Sequence, residues 1–184
     1  MESHLNAKSQ PEPVITAAQI EKRVQEIGRQ ISDDYHGRTV HVLAVLENSF
    51  VFVADLIREL EIPVVCEFIK PLYRDRQTGR STTREIFFSP EIEVRGDDVL
   101  LVEGIIHSGV TTDFLVSGML ARGAASVKLV SFLDRQSARR VALQPDYFGF
   151  LVDEKFLVGY GLGSPRMARN LPYLGVGAPD GEGT

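Results

Sequence analysis

VLLVEGIIHSGVTT, residues 99–112, opens with four apolar and mostly branched side chains, Val99, Leu100, Leu101 and Val102, which read as a buried strand. An acid and small residues follow, and a helix-forming run starts at Thr111. Strand, small-residue loop and helix together make an anion-binding arrangement. Ser108, Gly109, Val110, Thr111 and Thr112 bring backbone N–H groups and hydroxyls to one point, where the positive end of the following helix dipole favours a phosphate. An ordinary strand-to-helix turn would need Gly109 but not the hydroxyls around it.

Before this stretch, residues 1–13 are polar and carry prolines, so a flexible arm is expected there. Thr16 with Gln19 forms a capping box, and Ile20, Val24, Ile27 and Ile31 give the helix that follows one apolar face. Val40 to Leu46 reads as a central strand, Phe50 to Leu60 as a second helix and Val64 to Ile69 as another strand. Lys70 to Arg84, KPLYRDRQTGRSTTR, is polar and dense in Arg, as a long loop would be, with short strands expected over 85–89 and 91–94.

After the stretch, the helix should run from Thr111 to Arg122 and stop at Gly123. Strands are expected over Val127–Leu133 and Tyr147–Val152, and Phe156 to Tyr160 is the last clear apolar run. Residues 175–184 read as a flexible tail. One domain over 14–174 results, an α/β fold with a parallel-sheet core flanked by helices and a small β-rich hood.

Composition narrows the classes of function. At 184 residues and 43% hydrophobic content the chain suits one soluble domain with a full core. A net charge of -5 and a pI near 5.4, without a Lys/Arg cluster, argue against a nucleic-acid or anionic-membrane surface. The single cysteine, Cys66, leaves no disulfide framework or Cys-based zinc site within one chain, and a reducing cytoplasm fits best. Apolar runs are too short to span a bilayer, and the first residues lack a signal-peptide core. His4, His36 and His41 show no metal-ligand spacing. Gly159, Gly161 and Gly163, followed by Pro165, miss the dinucleotide-loop pattern, and no serine nucleophile elbow is present.

The opening stretch resembles the ribose-phosphate-binding motif of the purine, hypoxanthine-guanine type, phosphoribosyltransferases. There an apolar strand runs into two acids, two branched apolar residues, a third acid and Ser/Thr-Gly-x-Thr. In this chain the first acid is Glu103, the second position is Gly104 and the third is His107, while Val110 replaces a usual Lys or polar residue. The resemblance extends along most of the chain, through Phe156-Leu157-Val158-Gly159-Tyr160, through Arg169 near Leu171-Pro172, and through Ser81-Thr82-Thr83 in a segment matching the family's mobile loop. That loop's Ser-Tyr pair is here Leu72-Tyr73.

The resemblance implies roles for particular residues. Glu103 would contact a sugar hydroxyl, Phe156 stack on a purine, Leu157 read the base edge through its backbone, and Arg135 take the place of a lysine that binds the 6-oxo group. Arg169 would lie on the pyrophosphate side, beside a loop whose basic residue and glycine are here Glu47 and Asn48. No compensating cation for Glu47 is visible beside it in sequence, and the equal alternative is that Glu47 simply points to solvent. Magnesium is implied too, although Gly104 and Gly163 stand where the family has acids and no protein metal ligand is assigned. His107 falls where an aspartate lies near N7 of the purine, and an imidazole there can donate or accept a proton.

The expected function is binding of a purine-type nucleoside monophosphate or analogue, with action at its N-glycosidic bond, in transfer or its reverse. The other reading is a catalytically silent nucleotide sensor or partner subunit. A homo-oligomer is implied by the family's habit of associating through its core domain.

Overall fold

The computed structural model describes residues 10–78, 81–87, 92–153, 156–163 and 168–177. In chain order its elements are β1 (Pro13–Ile15), α1 (Ala17–Asp34), β2 (Val40–Val45), α2 (Phe50–Leu56), β3 (Val64–Ile69), β4 (Leu72–Thr78), β5 (Ser81–Phe87), β6 (Asp98–Ile106), α3 (Val110–Ala121), β7 (Ser126–Asp134), β8 (Tyr147–Leu151), β9 (Leu157–Val158) and β10 (Leu174–Val176).

The core is a five-stranded sheet in the order β3-β2-β6-β7-β8, and every neighbouring pair is parallel. Its central strands are apolar on both faces because both faces are covered. Along β6, Leu100 and Val102 pack with α1 and α2, whereas Val99 and Leu101 pack with α3. Ile20, Val24, Ile27 and Ile31 of α1 are 0–2% exposed, so the helical spacing read from sequence is the face that meets the sheet. Thr16 Oγ1 accepts from Gln19 N–H at 3.3 Å while Gln19 Oε1 accepts from Thr16 N–H at 2.9 Å, completing the capping box. At the other end of the site-bearing helix, Gly123 (φ +89°) allows its N–H to reach Leu120 O and that of Ala124 to reach Met119 O, a Schellman ending.

A small antiparallel sheet, β1-β10-β9, forms the hood. Pro13 of the expected arm and Gly175–Val176 of the expected tail pair in this sheet. Two distant chain ends pair there, which composition alone does not signal. The expected loop over 70–84 is instead largely an antiparallel hairpin, β4 with β5, registered from Leu72↔Phe87 to Thr78↔Ser81. Ladder hydrogen bonds come from the backbone, so an Arg-dense segment can pair without apolar alternation. Ile92 and Val94 are buried, but no strand forms over them, and residues 88–91 lie outside the described residues. The second helix ends at Leu56 rather than Leu60, because Arg58 and Glu59 N–H groups turn to Asp55 and Leu56 carbonyls in tighter i→i+3 bonds. Among the described residues no helix is long and apolar enough to cross a membrane.

Candidate functional site

Helix α2, which follows β2, lies on one face of the sheet, and α3, which follows the adjacent strand β6, lies on the other. The loops leaving these two strands therefore diverge, and a crevice opens beyond their carboxyl ends. It is a cleft of about 640 Å³. The structure brings Glu47, Asn48, Glu103, His107, Ser108, Gly109, Thr111, Thr112 and Arg169 together on its walls, joined by Lys70 from the end of β3. Val110, Arg135, Phe156 and Leu157 lie outside this lining.

The floor is the turn from β6 into α3. Gly109 adopts φ +76° as the N-cap, and a Cβ there would lie 2.9 Å from Val141 Cγ2 and 3.1 Å from Arg139 Cδ, so both conformation and space require glycine. The first intrahelical bond is Asp113 N–H to Gly109 O at 2.8 Å, and the Val110 N–H before it donates to the Ser108 hydroxyl at 3.4 Å. Val110 is 44% exposed and lies outside the cleft lining. The Thr112 hydroxyl donates to Glu103 Oε1 at 2.9 Å, so this hydroxyl is aimed at the acid rather than held out to a phosphate.

Glu103 sits under that loop, and burial raises its carboxyl to about 7, against a smaller lowering effect from the Thr112 hydroxyl. Near neutrality it can thus donate a hydrogen bond as well as accept one. His107 stands at the rim. Loss of hydration lowers its pKa, and the positive charges of Arg135 and Arg139 lower it further, so the neutral imidazole dominates at neutral pH.

Arg139 is the residue whose role at the site sequence reasoning missed. It pairs with Asp134, a carboxylate only 1% exposed at the end of β7, and donates to the His107 carbonyl at 3.3 Å. The neighbouring Arg140 N–H binds the Ser108 carbonyl at 2.9 Å. The segment after β7 thus clamps the back of the turn from β6 into α3. The Arg139-Arg140 pair was visible in sequence, but nothing local tied it to residues thirty positions earlier.

On the opposite wall, Glu47 has the cations that its sequence neighbours do not supply. Lys70 Nζ lies 2.6 Å from Glu47 Oε1 and Arg169 Nη1 lies 3.7 Å from Glu47 Oε2. The Lys70 hydrogen bond first, then its charge, and more weakly that of Arg169, hold the Glu47 carboxyl below its usual range. The Leu46–Glu47 peptide is cis. Behind it, a Cβ on Gly104 would lie 2.3 Å from Asn48 O and 2.5 Å from Asn48 C, so the loop backbone occupies the space that an acid at 104 would need.

Toward the hood, Arg135 Nε donates to the Asp153 carbonyl at 3.0 Å. Phe156 is 39% exposed. Its carbonyl accepts from Gly177 N–H at 2.8 Å, which makes 156 and 177 a hydrogen-bonded pair and leaves Leu157, opposite Val176, directing its N–H and C=O away from β10.

The donor set does not fit a protein-held divalent cation. Glu103 is tied to Thr112 and prone to protonation, Glu47 is ion-paired, and position 104 has no room for a carboxylate. Among the described residues no group of three or more His, Cys, Asp or Glu is arranged to hold a metal. Buried His41, at the far end of β2, is engaged by Asp97 and Glu67, each at 2.9 Å.

A family model described as "Phosphoribosyl transferase domain" matches residues 15–165. The hypoxanthine-guanine phosphoribosyltransferase of Bacillus subtilis is 34% identical over 166 residues, covering 90% of this chain and 92% of the relative. The bifunctional protein TilS/HprT of Listeria innocua is 36% identical over 167 residues, covering 91% of this chain. The chain spans about a quarter of that relative, 26% of its length. A crystal structure of a hypoxanthine-guanine phosphoribosyltransferase from Bacillus anthracis is similar with a TM-score of 0.79 at 32% identity, covering 91% of this chain and 98% of that one.

Proposed function

This chain belongs to the phosphoribosyltransferase family, and from that premise we propose that it transfers a phosphoribosyl group to a purine of the hypoxanthine or guanine type, with His107 as the base. In this reading the purine N9 attacks C1′ of the donor, the bond from C1′ to pyrophosphate breaks, and the N7 proton passes to the imidazole. The observation that carries the reading is the place of His107 in the cleft lining beside the turn from β6 into α3. Partial loss of hydration and two nearby guanidinium groups favour its neutral form, and a neutral imidazole accepts a proton. This supports attack by a purine over protonation of a departing one.

The remaining residues take supporting parts. Backbone N–H groups at the start of α3 and the hydroxyls of Ser108 and Thr111 would hold the 5′-phosphate. Glu103, half protonated near neutrality, would meet a sugar hydroxyl. The exposed Phe156 ring offers a stacking surface, Leu157 offers backbone groups, and Arg135 a guanidinium for a 6-oxo acceptor. No step is routed through a metal ion, because the donor set does not fit one.

The Asn48 carbonyl, standing 2.3 Å from where a Cβ on Gly104 would be, leaves no room for an acid there and favours a second reading, a nucleotide-binding subunit that does not turn over. The two are separated by incubating the protein with phosphoribosyl pyrophosphate and hypoxanthine or guanine, with and without magnesium, and measuring nucleotide formed. Transfer supports the first reading. Tight monophosphate binding without turnover supports the second.

A further inference from the structure

We propose that Glu47 is a built-in occupant of the leaving-group subsite, its carboxylate holding Lys70 and Arg169 together until an incoming pyrophosphate takes both cations over. The inference rests on the transfer reading and adds to it how the anion is admitted. Each oxygen of one carboxylate faces a different cation, with Lys70 at 2.6 Å and Arg169 at 3.7 Å. All three side chains line the same cleft as the phosphate loop. The carboxylate thus stands where an oxyanion bridging the two cations would stand.

The pair is placed to exchange. The Glu47 and Lys70 side chains are 47% and 57% exposed, and exposed ion pairs are weakly held. Arg169 is steadied by a second bond, from Nη2 to the Gly163 carbonyl at 2.9 Å, so its guanidinium stays on the cleft wall when Glu47 leaves. The Asn48 carbonyl and the Gly104 α-carbon are packed too closely for the loop backbone to retreat toward β6, so the exchange is a rotation of the Glu47 side chain. A diphosphate offers more oxygens and more charge than one carboxylate and takes both cations through charge-assisted hydrogen bonds. The displaced carboxylate still repels it, so pyrophosphate is admitted but held loosely.

The test is calorimetry on the full chain with two probes, inorganic pyrophosphate and guanosine 5′-monophosphate, for the native protein, Glu47→Gln, Glu47→Ala and the double variant Glu47→Gln/Lys70→Gln. The ratio of pyrophosphate affinity to monophosphate affinity should rise on the order of tenfold in both single variants and fall back in the double variant. Pyrophosphate bound no tighter by Glu47→Gln and Glu47→Ala than by the native protein would overturn the proposal while leaving the transfer reading in place. Monophosphate bound by none of the four proteins would overturn the transfer reading, and with it this role for Glu47.

Discussion

The carbonyl oxygen of Asn48 lies 2.3 Å from where a Cβ on Gly104 would be, so the β2–α2 loop and strand β6 meet backbone to backbone behind the cleft wall. The motif that the sequence resembles has an acid at that position, and here the glycine is a packing requirement. Gly104→Ala should cost about 1–3 kcal/mol of stability, the usual penalty for overfilling a packed site. Adding Asn48→Gly should not restore it, because the clashing atoms belong to the Asn48 backbone. Denaturant melts of the single and double variants measure this, and a double variant as stable as the native protein would refute it.

Glu103 makes stability depend on pH. Its carboxyl is raised from 4.5 to about 7 in the folded protein, so between those values the native state binds more protons than the unfolded chain. Stability should therefore decline as pH rises from 4.5 to about 7 and level off above. Glu103→Gln keeps the oxygen that accepts from Thr112 and removes the titration. It should be more stable than the native protein at pH 8, by on the order of 2–3 kcal/mol, and nearly equal to it at pH 4. Melting curves across that range read the difference directly.

Arg139 links a buried charge to His107. Arg139→Gln leaves the Asp134 carboxylate buried without its counter-ion and should cost on the order of 3 kcal/mol. Adding Asp134→Asn should recover part of that loss. The same Arg139→Gln change removes one of the positive charges that depress His107, so the imidazole pKa should rise, as NMR titration of the His107 ring would record.

What could be read in the sequence is what depends on local chemistry or on continuous burial. The apolar run Val99–Val102, the glycine and hydroxyls after it, the capping box at Thr16 and the helical stop at Gly123 each carry their signal within a few residues. The hairpin over 72–87 was hidden because its pairing is a backbone property. The partners of Glu47 were hidden because Lys70 comes from the end of β3 and Arg169 from near the last strand. The reason for Gly104 lay in another strand's loop. The turn from β6 into α3 was legible, and the contacts that hold it from behind were not.

Transfer can also be probed from the substrate side. A purine nucleoside 5′-monophosphate should bind more tightly than its nucleoside, because the start of α3 offers its N–H groups to the phosphate alone. Equal affinities in calorimetry would remove the phosphate assignment from Ser108, Gly109 and Thr111.

The measurement that bears most directly on His107 is the pH dependence of nucleotide formation from guanine and phosphoribosyl pyrophosphate, for the native protein, His107→Ala and His107→Asp. The native rate should be flat at neutral pH and fall as pH drops through a value below 6.5, where the imidazole takes its own proton. His107→Ala should lose on the order of 10²–10⁴-fold in rate. His107→Asp should keep transfer, with the fall moved down toward the carboxylate range near ~4. A His107→Ala rate equal to the native one, or an acid limb that does not move in His107→Asp, would contradict the assignment of His107 as the base.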